Sequence, residues 1–172
     1  MTTLIRSTSH GNDVSVIYIR SMDIYRKVSQ SSLGKLRIVS EYEGTSWYEG
    51  QQKNLSNIKS YYSSDNYSRI DLCRIKGKHI DYNLPLTECE SYLNQCIDHY
   101  INIWPKKSIV PCHGDLTLDN ILFTNLTPIF FDWEHFYPQG EKWGFDIAYL
   151  IMSAAFFSSY SDRVLSSKDS LV

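Results

Sequence analysis

The sequence predicts an α+β chain in two lobes: an N-terminal antiparallel sheet with one helix, then a short, mainly helical C-terminal lobe. Three observations predict it. The first seventy-five or so residues hold runs rich in β-branched and aromatic residues around one helical stretch. A capped, amphipathic helical segment follows the break at Lys76-Gly77-Lys78. After it, short apolar runs separated by Asp- and Asn-bearing turns lead into a last apolar helix. The lobe boundary falls between Leu72 and Gly77, which gives domains 1–75 and 76–172.

Taken in order, Val14 to Ile19 and Ile24 to Val28 read as two strands of an antiparallel hairpin, preceded by a turn-rich segment, Ser7-Thr8-Ser9-His10-Gly11-Asn12. A helix is expected from near Gly34 to Tyr48. From Gln51 to Tyr67 the chain is polar, with Leu55 and Ile58 as its clear apolar anchors. Ile70 to Ile75 alternates as a strand. Thr87 and Glu90 form a capping-box pattern ahead of Cys89, Leu93, Cys96, Tyr100 and Ile103, which recur at helical spacing until Pro105. Ile109-Val110, Ile121 to Phe123 and Ile129 to Phe131 are short strands, and Phe145 to Phe157 is the last helix.

Composition narrows the function classes. The chain has 172 residues, enough for one good core or two small lobes, and its formal net charge of -2 gives no electrostatic reason to expect nucleic acid or an anionic membrane as partner. The apolar run Ile147 to Phe157 is too short to span a bilayer. Cys73, Cys89, Cys96 and Cys112 lack the spacing of a zinc knuckle or redox motif, and no secretion signal accompanies them, so reduced thiols and a cytoplasmic location are expected.

The chemistry concentrates in VPCHGDLTLDNILFTNLTPIFFDWE, Val110 to Glu134. Asp115 and Asn120 stand at the two ends of one loop, and Asp132 returns at the end of the following hairpin. Hydrolytic and phosphoryl-transfer sites need such a grouping: one carboxylate positions the attacking hydroxyl and accepts its proton, and oxygen ligands hold Mg2+ against the phosphates. His113-Gly114-Asp115-Leu116-Thr117-Leu118-Asp119-Asn120 resembles the HGDxxxxN catalytic loop of the aminoglycoside phosphotransferase and choline kinase superfamily, and Asp132-Trp133-Glu134 resembles its metal-binding step. The resemblance implies a bilobal protein-kinase-like fold, Asp115 as catalytic base, Asn120 and Asp132 as metal ligands, and Glu134 as a further ligand through water. It implies that His113 braces the loop, and that Asp146, in Trp143-Gly144-Phe145-Asp146, opens a helix and supports the loop.

The same resemblance places Lys27 where a strand lysine would steady the ATP phosphates; strand alternation puts Arg26 on the opposite, solvent-facing side, and a one-residue shift of register would exchange the two. Its carboxylate partner comes from the following helix. Alignment favours Glu41, which shares a face with Ile38, Thr45 and Tyr48, but Glu43 shares one with Leu36, Val39 and Trp47, so periodicity leaves both open. With no GxGxxG, the loop carrying Ser9 is expected to cover the phosphates through backbone N–H and hydroxyl groups. Cys73 and Ile75, in the stretch resembling the inter-lobe hinge, are expected against the base.

The expectation is an ATP- and Mg2+-dependent phosphotransferase acting on a hydroxyl of a small molecule: a sugar, an amino alcohol or an aminoglycoside-like acceptor. Only about forty residues follow Asp132, so the acceptor site is expected to be minimal, supplied by another chain, or lost by truncation. A catalytically impaired nucleotide-binding regulatory domain is the alternative. A metal-dependent hydrolase is the third reading, and the chain lacks the His-rich or paired-acid clusters of two-metal hydrolases. Acceptor identity and oligomeric state are not legible in the sequence.

Overall fold

The structure, a computed structural model, describes residues 2–7, 13–52, 55–80, 86–125 and 127–156. The expected α+β organisation is present, and the chain divides into two compact units. The first comprises residues up to Ile75 together with Asp132–Pro138; the second runs from Lys76 to Phe131 and resumes at Gln139.

The first unit is built on a five-stranded antiparallel sheet in the order β1-β2-β3-β5-β4. Its strands are β1 (Thr2–Ser7), β2 (Ser15–Ile19), β3 (Ile24–Ser29), β4 (Ile58–Ser63) and β5 (Ser68–Cys73). Helix α1 (Ser32–Gln51) lies against β3, β4 and β5. It starts where Ser31, extended at φ -72° and ψ 150°, accepts the Gly34 N–H through its side chain. Val14, Ile38 and Ile70 form the buried core between sheet and helix, with Tyr42, Ile58, Tyr61 and Leu72 against it.

Two of these strands, β1 and β4, go beyond the sequence expectation. Both lie at sheet edges, where one strand side has no partner and polar residues are favoured, so the Ile58–Ser63 sequence IKSYYS reads as loop. Register also corrects the expectation for Arg26. Arg26 stands opposite Asp71, and its guanidinium donates twice to that carboxylate, at 2.7 and 2.8 Å. Ser60, paired with Asp71 from β4, donates to it at 3.1 Å. Arg26 is therefore tied into a polar row across three strands. The ion pair holds the Asp71 carboxyl below its usual range, chiefly through the Arg26 hydrogen bonds.

In the second unit, α2 (Leu86–Ile103) contacts the hairpin strand β8 (Thr127–Phe130), which pairs with β7 (Ile121–Thr124). The helix begins at Leu86, so Thr87 sits inside its first turn and not at the cap expected for it. β6 (Ile109–Cys112) pairs with a further unexpected strand, β9 (Tyr137–Lys142), and α3 (Phe145–Phe156) follows. β9 reads as loop because it contains Pro138 and Gly140. The glycine is required: at φ 77° its backbone is left-handed, and a Cβ there would collide with the Val110 carbonyl. Tyr100 and Trp104 stack at 4.2 Å in this core, and the Trp104 indole donates to the Pro111 carbonyl at 2.7 Å.

No helix among the described residues is long and apolar enough to cross a membrane. Burial pushes the Cys96 thiol up to about 12.

Two predictions follow from packing. Gly44, in α1, approaches the segment returning into this unit so closely that an added Cβ would lie 2.6 Å from the Trp133 Cβ and 2.8 Å from the Phe136 Cβ. In an exposed helix Gly→Ala is stabilising by about 1 kcal/mol; here overpacking, at about 1–3 kcal/mol, reverses the sign. Urea denaturation of Gly44→Ala should show a lowered midpoint, and a raised one would contradict the packing. His99 stands edge-on to Phe130 at 5.1 Å, and burial lowers its pKa from 6.5 to about 4. The unfolded chain then binds the proton first, so stability is lost as pH falls from 6.5 toward 4. The loss is roughly 3 kcal/mol. His99→Leu should flatten the stability profile across that window, read by urea midpoints at successive pH values.

Candidate active site

The sequence-derived site residues fall into two groups, one within each unit. In the first unit Lys27 projects from β3 on the side shared with its cross-strand neighbour Ile70, the side covered by α1. Its ammonium donates to Glu41 Oε2 at 2.7 Å and to the Asp132 carboxylate. Glu41 is thus the partner that periodicity left open, while Glu43 is exposed. The reason is helix phase: Glu41 falls on the buried stripe with Ile38, Gly44, Thr45 and Tyr48.

Asp132 enters this unit with φ 66°, in the left-handed region that a non-glycine residue occupies at a cost. The following Trp133 and Phe136 are buried against α1, which fixes the strained residue in place. Trp133 lies 5.0 Å from the Tyr48 ring and 5.9 Å from the Trp47 ring.

Burial alone would push the Lys27 ammonium down, but the charges of Asp132 and Glu41 and their hydrogen bonds outweigh it and hold it above the usual lysine range. Burial pushes the Glu41 carboxyl up, to about 7, against the pull of Lys27, and the charges of Asp132 and Glu134 add to the rise. The Asp132 side chain is 26% exposed, against 2% for Glu41. Glu134 has an 18% exposed side chain, 3.7 Å from the His135 ring.

The second group is the loop after β6. His113 is fully buried; its Nε2 donates to the Phe131 carbonyl at 3.1 Å while Nδ1 accepts the Asp115 N–H at 3.4 Å, two contacts that suit one neutral tautomer. Gly114 takes φ 83°, the left-handed turn that presents Asp115. Leu116 and Leu118 are buried and anchor the loop. Asn120, in the 3-10 turn Leu118–Asn120, donates through Nδ2 to the Asp115 carbonyl at 2.8 Å and to Asp115 Oδ2 at 3.3 Å. With its amide nitrogen committed to Asp115, Asn120 presents Oδ1 as its atom for a cation.

Beneath the loop lies Asp146, in the first turn of α3 and 1% exposed. Its carboxylate accepts the backbone N–H of His113 at 2.9 Å, that of Gly114 at 3.1 Å and the Cys112 thiol at 3.1 Å. Desolvation pushes the Cys112 thiol well above its usual range, with the Asp146 charge adding to it, so the thiol stays a donor. One turn further along α3, Tyr149 donates its hydroxyl to Asp115 Oδ1 at 3.2 Å. Burial, then Asp115, raises the Tyr149 phenol, which keeps it protonated. Tyr149 is the site residue that sequence reading missed; its available signal was the three-residue spacing from Asp146, which sets both on one face of a helix.

Ser9 lies outside the described residues. Cys73 and Ile75 are half-buried at and just beyond the end of β5. Among the described residues no three or more His, Cys, Asp and Glu side chains gather as a metal cage. The ligand set expected here, one amide and carboxylate oxygen, is the hard, sparse kind that suits Mg2+.

Sheet, helix, loop and hairpin in this order are those of a short kinase-like α+β fold. Among solved structures it is similar to the ADP-bound aminoglycoside phosphotransferase APH(2'')-Ib, with 13% identity, a TM-score of 0.51, and coverage of 82% of this chain and 67% of that one. A second similar structure is the streptomycin–ATP ternary complex of APH(2'')-IIa, with 14% identity, coverage of 79% and 67%, and a TM-score of 0.48. No family model and no curated protein matches the chain in sequence.

Removing the Asp146 carboxylate orphans three donors at once. Asp146→Ala should therefore destabilise the protein by about 3 kcal/mol or more, read by thermal or urea unfolding. An unchanged midpoint would mean that the loop stands without it.

Proposed function

We propose that this protein is an ATP- and Mg2+-dependent phosphotransferase that moves the γ-phosphoryl group onto a hydroxyl of a small molecule, a sugar, amino alcohol or aminoglycoside-like compound. The observation that carries the reading is the Asp115 carboxylate, presented by a left-handed glycine on a loop whose backbone is held by Asp146 and whose far end, Asn120, is bonded back to Asp115. A carboxylate so fixed suits the task of orienting a hydroxyl.

In this reading Asp115 takes the proton from the acceptor hydroxyl. The acceptor oxygen forms its bond to the γ-phosphorus, the bond from that phosphorus to the β,γ-bridging oxygen breaks, and ADP leaves. Asn120 Oδ1 and the Asp132 carboxylate would hold Mg2+, with Glu134 contributing through water; bound there, the ion would offset charge on the phosphates. Lys27, kept protonated by its carboxylates, steadies the phosphates, and Glu41 holds it. Cys73 and Ile75 lie against the base.

ADP release from Mg-ATP should be measured against glucose, choline, ethanolamine and kanamycin, with Asp115→Asn as control. Release stimulated by one acceptor and reduced on the order of a hundredfold or more by Asp115→Asn, at unchanged melting temperature, is the expected result. Nucleotide binding without release for any acceptor would favour a regulatory nucleotide-binding domain, and hydrolysis of a phosphoester without ATP would favour a hydrolase.

A further inference from the structure

We infer that Tyr149 is a positioning residue for Asp115: its hydroxyl holds one oxygen of the carboxylate while Asn120 holds the other. This rests on the phosphotransferase reading above and adds to it a residue that the catalytic motif does not contain.

The geometry is specific. Tyr149 donates to Asp115 Oδ1 at 3.2 Å and Asn120 Nδ2 donates to Oδ2 at 3.3 Å, so each carboxylate oxygen carries one side-chain donor. A carboxylate with a donor at one oxygen alone can still swing about its Cβ–Cγ bond; donors at both fix the plane. Each oxygen has two lone pairs, so one remains on each to accept the hydroxyl proton. Neither donor blocks the reaction.

The two donors come from different places in the chain. Asn120 is local, five residues beyond Asp115, and moves with the loop. Tyr149 stands on α3, the helix whose Asp146 already holds the loop backbone at His113 and Gly114. Residues three apart on a helix share a face. α3 therefore grips the loop twice, by its backbone through Asp146 and by its carboxylate through Tyr149. The ring is 38% exposed, so its packing alone does not account for a hydroxyl turned onto Asp115.

Tyr149→Phe keeps the ring and removes the donor. Two measurements test the role. The first is a double-mutant cycle of Tyr149→Phe with Asp115→Ala, read by urea unfolding: a real contact makes Tyr149→Phe change the unfolding constant less once Asp115 is gone. The second is steady-state kinetics of Mg-ATP turnover onto each compound of the panel and onto water. The expected result is a kcat lowered roughly tenfold with the KM for Mg-ATP unchanged, because the donor acts on the base and not on nucleotide binding. Tyr149→Gln, which restores an N–H donor of shorter reach, should recover part of that loss.

Independent effects in the cycle would overturn the contact. Coupling in the cycle with kcat unchanged would overturn the positioning role and leave a surface hydrogen bond. Turnover that survives Asp115→Asn while the coupling persists would overturn the phosphotransferase reading of Asp115, and the positioning role with it.

Discussion

An ammonium taken out of water is costly unless opposite charge surrounds it, and Lys27 is surrounded on two sides, by Glu41 and Asp132. The first unit is organised around that requirement. Strand register turns Lys27 toward α1, helix phase brings Glu41 to meet it, and the left-handed backbone at Asp132 brings in the second carboxylate. Small residues make room: Gly44 lets Trp133 and Phe136 close on the helix immediately after Asp132. Removing one member of such a set leaves a buried charge without its counterpart, at a cost of about 3–5 kcal/mol.

The second unit depends on a different device, one carboxylate that gathers donors. Asp146 satisfies two consecutive backbone N–H groups and a thiol, and the loop it holds carries Asp115. Buried donors without a partner are expensive, so the loop's shape and the first turn of α3 are fixed together. His113, locked between a carbonyl and the Asp115 N–H, adds a further restraint. The restraints surround Asp115 and leave its side chain half-buried.

Much of this was legible in the sequence because the motif is local. His113, Asp115 and Asn120 lie within eight residues, so their spacing carries their geometry, and the strands on either side were recognisable from β-branched runs. The illegible parts have physical causes. Glu41 and Glu43 each share a helical face with apolar residues, and only the packing of α1 on the sheet decides between them. β1, β4 and β9 pair on one side or carry Pro and Gly, so pairing makes them strands where composition does not. Tyr149 and Asp115 are 34 residues apart, a contact created by tertiary structure alone. The Ser9 loop remains an expectation, since it lies outside the described residues.

The proposed nucleotide-dependent phosphotransfer is tested most directly by calorimetric titration of the wild-type protein with ATP in the presence of Mg2+ and again in EDTA. The account predicts saturable binding of Mg-ATP, competed by ADP and much weakened when the metal is removed. Absence of saturable binding under both conditions, with the protein folded, would contradict it.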